Sequence, residues 1–291
     1  FSQEVDLEFT VKKRYPDLPK ANALEYDGLM MRHWTQWEDG AFSHVMFCTY
    51  EDGKLGKPVD VMPGEKYDAP TQPFGGEEQM NWSADGKTIA YTCKKESGTA
   101  YATSTNTDIY LYNIETGKTI NISAPNMGYD VDPKFSPDGK SVLMSESING
   151  RTNIYDINLK SYKIEKLTKG SSISTSASYS PDKKFIVFNS DRSGNQQLYI
   201  MNSDGSHQRR ISFGSGRYAS PAWSPRGDLI AFTKMEKGNF YIGVMKPDGT
   251  GERILTEGYM VDTPTWSSNG RVIVFTRQER STAKKHGWSK I

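Results

Sequence analysis

The stretch Trp82-Ser83-Ala84-Asp85-Gly86-Lys87 returns four times: as Phe135-Ser136-Pro137-Asp138-Gly139-Lys140, Tyr179-Ser180-Pro181-Asp182-Lys183-Lys184, Trp223-Ser224-Pro225-Arg226-Gly227-Asp228 and Trp266-Ser267-Ser268-Asn269-Gly270-Arg271. The aromatic residues are 53, 44, 44 and 43 positions apart. The chemistry is that of a tight turn. Proline presets φ, the Asp or Asn side chain caps the turn, and glycine accepts positive φ. A short apolar run follows each copy: 88–91, 141–144, 185–188, 229–232 and 272–275. A second follows the first four copies, at 108–112, 153–157, 197–201 and 240–245. Then come a polar turn and a third strand near Leu-Thr or Ile-Ser. A period near 43 residues with four strands per unit is the signature of a β-propeller blade.

Working outward, residues 29–34, 43–50 and 57–62 read as three strands of an earlier blade without its turn. Residues 23–26 stand in for its first strand. The expected fold is all-β, a six-bladed propeller with blades starting near 22, 75, 129, 173, 217 and 260. The last blade is short, with residues 288–291 as a candidate further strand. At the other end, Val5, Leu7, Phe9 and Val11 alternate on one face of residues 4–11. The expectation is that this N-terminal strand completes the last blade and closes the ring, removing two sheet edges. Residues 1–291 then form a single domain.

Composition agrees. Of 291 residues, 12% are aromatic, with 26 Gly and 14 Pro, which suits short strands and turns better than helices. Lys+Arg number 36 against 35 Asp+Glu, so net charge gives no reason to expect a nucleic-acid partner. The longest apolar runs, such as 185–188 and 272–275, are four residues, whereas a membrane helix needs about twenty. No membrane insertion is expected. The chain starts Phe1-Ser2-Gln3-Glu4, as a mature or trimmed product would. Cys48 and Cys93 lie in apolar segments and read as two buried thiols, with a disulfide as the alternative. No Cys/His cluster suggests zinc.

Two families are resembled. Residues 1–145 resemble the propeller of a bacterial dipeptidyl-peptidase of the prolyl-oligopeptidase class. The match rests on Tyr26–Gly40 (YDGLMMRHWTQWEDG), Ser43-His44 and Tyr129–Gly139 (YDVDPKFSPDG). Residues 146–291 resemble the TolB propeller of the Tol–Pal system, through Gly216–Lys234 (GRYASPAWSPRGDLIAFTK), Ile242–Gly249 (IGVMKPDG), Gly251–Gly258 (GERILTEG) and Asn269-Gly270-Arg271-Val272. The seam falls near 141–151, inside the third blade. Because each blade contacts mainly its neighbours, two half-rings can share one toroid. The reading is a hybrid propeller of engineered origin, a non-enzymatic scaffold. The alternatives are a natural TolB-like binder of Pal and the substrate-filter propeller of a serine dipeptidyl-peptidase.

The peptidase resemblance implies a nucleophile elbow, Gly-x-Ser-x-Gly, which this sequence does not contain. None of His33, His44, His207 and His286 can be matched to a positioned nucleophile, so no catalytic, cofactor or metal residue is assigned. Glu77-Glu78 is similar to the glutamate pair that holds a substrate amine in that class, but its place in a loop before Trp82 reads as a solvated pair. Asp130 and Asp132 read as strand-cap hydrogen bonders or cation ligands. The repeated Asp residues are turn formers. The TolB resemblance implies protein binding by loops leading into the first strands. The candidate residues are Ser172, Thr175, Arg217, Tyr218, Tyr259 and Met260, since Arg and Tyr are enriched in interface hot spots. The implied partner is Pal or a peptide, bound weakly by a monomer, and the implied setting is periplasmic.

Overall fold

The five turns that carry the repeat have one geometry. The N–H of the fourth residue donates to the carbonyl of the serine, as in Gly86 to Ser83 at 2.9 Å and Gly139 to Ser136 at 2.9 Å. Gly227 to Ser224 and Gly270 to Ser267 are both 2.8 Å. The serine hydroxyl donates to the third-position side chain at Asp85, Asp138, Asp182 and Asn269, within 2.6–2.8 Å. Where Arg226 takes that place, Ser224 Oγ turns to Asp228 at 3.0 Å instead. The fourth residue must be left-handed, with φ of 68, 65, 76 and 64° at Gly86, Gly139, Gly227 and Gly270. Lys183 holds the same place at φ 60°.

The structure is a computed structural model that describes residues 2–4, 16–17, 20, 26, 31–33, 36–38, 40–73, 75–280 and 289–290. Four antiparallel four-stranded sheets form, each a meander in chain order. Their strands are Met80–Trp82, Thr88–Cys93, Asp108–Asn113 and Lys118–Asn121; then Tyr129–Phe135, Ser141–Ile148, Arg151–Asn158 and Ile164–Lys166. Next come Ser174–Tyr179, Phe185–Ser190, Gln197–Asn202 and Arg209–Arg210; then Arg217–Trp223, Ile230–Glu236, Asn239–Met245 and Arg253–Gly258. A last sheet has three strands, Met260–Trp266, Ile273–Gln278 and Ser289–Lys290. One short helix, Gly98–Thr103, interrupts the connection from Thr88–Cys93 to Asp108–Asn113.

The chain divides into two compact units: 1–80 with 88–131, and 81–87 with 132–291. In the second unit, period-2 alternation assigns each side chain to a core. Ile186 and Phe188 join Leu143, Ile154, Tyr179, Tyr199 and Met201 in one cluster. Val187, between them in sequence, joins Leu198, Ile200, Ile230 and Phe232 in the next. Second and third strands thus bury both faces, each large side chain worth roughly 1.5–3 kcal/mol as an upper-end transfer estimate. The second strand of the last sheet is more open, with Val274, and Val272 just before the strand, exposed. In the first unit, Val45, Met62, Ile89, Tyr91, Cys93, Tyr110 and Tyr112 form the core.

One expectation is corrected, and a second falls largely outside the described residues. The strand read at 43–50 is part of a broken hairpin. Met46–Phe47 pairs with Val59–Asp60, and Tyr50–Glu51 with Lys54–Leu55. Pro58, which has no N–H to donate, lies in the gap between the two ladders. At the N-terminus, Ser2–Glu4 pairs with Ala41–Ser43, and not with the last sheet. That sheet takes its third strand from the nearby C-terminus, where Arg277 faces Lys290. A strand close in sequence costs less loop-closure entropy than one from the far end. Residues 5–11, including Val5, Leu7, Phe9 and Val11, lie outside the described residues.

Candidate functional site

The first strands of three successive sheets, Ser174–Tyr179, Arg217–Trp223 and Met260–Trp266, each carry a bulge. At each bulge a non-glycine residue is left-handed: Ser176 at φ 55°, Ser220 at 48° and Thr263 at 51°. Such backbone costs of order 1 kcal/mol per residue, so surrounding contacts must hold it. Asp262 supplies one such hold. Its Oδ1 accepts Ser220 Oγ at 3.1 Å, Thr233 Oγ1 at 2.7 Å and the Thr263 N–H at 2.7 Å.

The six candidate binding residues lie at the N-terminal ends of these strands and in the loops before them. Ser172 and Thr175 are half-buried, and Thr175 Oγ1 donates to Asn189 Oδ1 at 3.1 Å. Arg217 and Met260 are exposed, and Tyr259 is half-exposed with the Arg280 guanidinium 5.0 Å over its ring. Tyr218 differs: it is fully buried. Its hydroxyl donates to Glu252 Oε1 at 2.7 Å, and Lys234 Nζ lies 5.2 Å over its ring and 3.4 Å from the same oxygen. Burial, with the bond to the Glu252 carboxylate, pushes its phenol up to about 12. The placement makes Tyr218 a support beneath the loop, because alternation turns it inward while Arg217 faces out. Sequence reading passed over Phe213, 72% exposed, with the Arg210 guanidinium 5.2 Å from its ring.

The remaining candidates have structural partners. Glu77 and Glu78 sit in a single 3-10 turn, Glu77–Gln79, and Glu78 Oε1 accepts the Gly76 N–H at 2.9 Å. Asp130 is fully buried and accepts Asn126 Nδ2 at 3.3 Å. Asp132 is left-handed at φ 56°. His44 is held between Asp60 Oδ2 at 2.9 Å and the Glu65 carbonyl at 3.0 Å. Both cysteines are free thiols; Cys93 is buried and Cys48 half-buried. Burial, the largest influence, pushes the Cys93 thiol up to about 12. Among the described residues, no group of three or more His, Cys, Asp or Glu could hold a metal, and no helix is long and apolar enough to cross a membrane.

A family model, PD40, described as the TolB beta propeller domain, matches residues 74–286. The chain belongs to the TolB beta propeller domain family. Its relatives span both resemblances. Dipeptidyl-peptidase 5 of Porphyromonas gingivalis is 41% identical over 170 residues, covering 58% of this chain and 24% of that protein. The enzyme of the same name from Porphyromonas endodontalis is 37% identical over 140 residues, 48% of this chain and 20% of that one. The solved TolB of Acinetobacter baumannii superposes with a TM-score of 0.60 at 27% identity, covering 79% of this chain and 52% of that one. The fold is an all-β, TolB-like propeller. The matched stretch is at most 24% of the length of those two peptidases.

Proposed function

We propose that this chain is the propeller of a dipeptidyl-peptidase, a non-catalytic module that screens peptides for a hydrolase domain elsewhere in a longer protein. One observation carries the reading. A 170-residue match within 291 residues necessarily runs through the seam at 141–151, wherever it begins. Peptidase-like sequence therefore extends past the point where two half-rings were expected to join. That favours one natural propeller over an engineered hybrid. In this reading the 291 residues form a single six-bladed domain. Arg217, Tyr259 and Met260 offer peptides a cation and apolar surface at the ends of two first strands, in the periplasmic setting implied by both resemblances.

The decisive experiment is to read and express the coding sequence beyond Ile291. An α/β-hydrolase with Gly-x-Ser-x-Gly downstream, releasing dipeptides from chromogenic substrates, supports the proposal. A stop codon directly after Ile291 overturns it. The 27% identity to TolB over 79% of the chain favours a second reading, a TolB-like binder of Pal. Titration calorimetry with a Pal domain tests it: saturable heat supports that reading, and its absence removes it.

A further inference from the structure

The tripeptide Asn-Gly-Arg occurs twice, at 149–151 and 269–271, and these hold the two Asn-Gly pairs of the chain. An asparagine before glycine is open to attack on its own side chain. The glycine backbone nitrogen adds to the asparagine Cγ, and no Cβ on the glycine stands in the way. Three things slow that attack in a folded chain. Hydrogen bonds can fix the carboxamide, another can hold the glycine N–H, and cover can keep base and water away. With the same three residues in both places, intrinsic reactivity is shared and the fold alone separates them.

Asn269 has all three protections. Its Oδ1 accepts Ser267 Oγ at 2.8 Å and the Arg271 N–H at 3.0 Å. The Gly270 N–H donates to the Ser267 carbonyl at 2.8 Å. Gly270 is buried, and a Cβ placed on it would meet Arg226 Cγ at 2.7 Å. Asn149 has none of them. Asn149 and Gly150 form the exposed tip between Ser141–Ile148 and Arg151–Asn158, and nothing lies within 4 Å of where a Gly150 Cβ would sit. Among the described residues, no hydrogen bond engages the Asn149 carboxamide or the Gly150 N–H. Both tip residues are left-handed, at φ 51 and 73°, the form of a two-residue hairpin. The cross-strand pairs behind the tip, from Ser141–Asn158 to Ile148–Arg151, hold the strands together while the tip turns. The turn itself does not require asparagine. The matching connection between Ile230–Glu236 and Asn239–Met245 has Lys237-Gly238, at φ 51 and 82°.

We infer that Asn149 is a site of spontaneous modification in the folded protein, deamidating through a cyclic imide, and that Asn269 is protected. The Gly150 nitrogen loses its proton to hydroxide and bonds to Asn149 Cγ. The Cγ–Nδ2 bond breaks and ammonia leaves. Water then opens the five-membered imide at one of its two carbonyls. Breaking the new Cγ–N bond restores the backbone and leaves aspartate. Breaking the original peptide bond leaves isoaspartate, with the chain running through the former side chain. Either way one ammonia is exchanged for one water, and an anion appears two residues from Arg151. This chemistry needs neither the peptidase nor the TolB reading.

Trypsin cuts after Lys140, Arg151, Arg253 and Arg271, so each asparagine falls in its own peptide, 141–151 or 254–271, with no second asparagine in either. The full chain is incubated at pH 8 in heavy-oxygen water, which marks only imide opened during the incubation. It is sampled over days, digested in mildly acid buffer and mapped by mass spectrometry, beside a sample unfolded in guanidinium. In the folded chain, 141–151 should gain the label at least about tenfold faster than 254–271, the least that breaking two or more hydrogen bonds first would impose. In the unfolded chain the two peptides should react alike. The labelled 141–151 peptide should separate into aspartyl and isoaspartyl forms. Equal labelling of the two peptides in the folded chain overturns the inference. So does an unlabelled 141–151 in the folded chain when the unfolded chain labels it. An aspartyl product alone would mean direct hydrolysis and overturn the imide route.

Discussion

Lys183 Nζ lies 2.9 Å from Asp138 Oδ1, so the turn of one repeat is tied to the turn of the repeat before it. The lysine does this from a left-handed backbone that four sister turns give to glycine. Without a Cβ the turn is unstrained; with one it gains a side chain long enough to reach the neighbour.

That trade predicts an order of stabilities. Lys183→Ala keeps the strained φ and loses the ion pair. Lys183→Gly loses the pair and removes the strain. A left-handed non-glycine costs about 1 kcal/mol, and an exposed pair is worth about 0.2–1 kcal/mol. Urea unfolding should place Lys183→Gly within about 0.5 kcal/mol of the parent, and Lys183→Ala about 1 kcal/mol below Lys183→Gly. Equal stability of the two variants would show that the turn carries no strain.

Acid should act on this turn. Partial burial alone would raise the Asp138 carboxyl, but hydrogen bonds from Ser136, Lys183 and the Lys140 N–H, with the Lys183 charge, hold it at about 2. Its stabilisation is therefore complete above the ordinary carboxylate value of 3.8 and lost as pH falls through about 2. Melting temperature should fall less for Asp138→Asn than for the parent over that window. Parallel curves would remove Asp138 from the acid response.

Asp156 should act in the opposite sense. Burial raises its carboxyl, against hydrogen bonds from Tyr179 and Ser141 that favour the anion. The folded state thus prefers the protonated form, and its contribution is present below 3.8 and lost as pH rises through the folded value. Asn can still accept from the Tyr179 hydroxyl. Asp156→Asn should then gain stability relative to the parent at pH 7 more than at pH 4. A loss that is larger at pH 7 would reverse the assignment.

The loop support separates structure from binding. Tyr218→Phe deletes the bond to Glu252 and should cost about 1 kcal/mol, with Tyr218→Ala at about 3–5 kcal/mol. Asp262→Ala strands the Ser220 and Thr233 hydroxyls and should cost about 1.5–3 kcal/mol. Tyr259→Ala, at an exposed site, should leave the unfolding midpoint within about 0.5 kcal/mol of the parent. Calorimetric melting of the four variants checks the order; a Tyr259→Ala loss equal to that of Tyr218→Ala would contradict the burial difference.

Thiol labelling gives a further check. The thiolate is the reacting species, and at about 12 the Cys93 thiol holds roughly 10³-fold less of it than an unperturbed one. Iodoacetamide at pH 8 followed by intact-mass spectrometry should add one group to the native chain, at Cys48, and two after denaturation. Rapid double labelling of the native protein would place Cys93 in reach of solvent.

The sequence by itself determined the repeat and therefore the sheets. The turn at Ser136-Pro137-Asp138-Gly139 depends on four adjacent residues, and alternation such as Ile186, Val187, Phe188 depends on backbone geometry alone, so both are local. The strands at 88–93, 108–113, 185–190 and 197–202 are accordingly legible to within about two residues. Tertiary structure decided what local pattern cannot carry. Arg217 and Tyr218 are neighbours of similar interfacial character, yet one is exposed and the other buried on Lys234 of the next strand and Glu252 of the turn before the fourth. The repeat predicts the same place for Trp82 and Trp223, but only packing left Trp82 47% exposed and Trp223 8% exposed. The partner of Ser2–Glu4 was a choice between distant edges, settled by Ala41–Ser43. Burial and pairing depend on atoms that are near in space and far in sequence, and no turn chemistry encodes them.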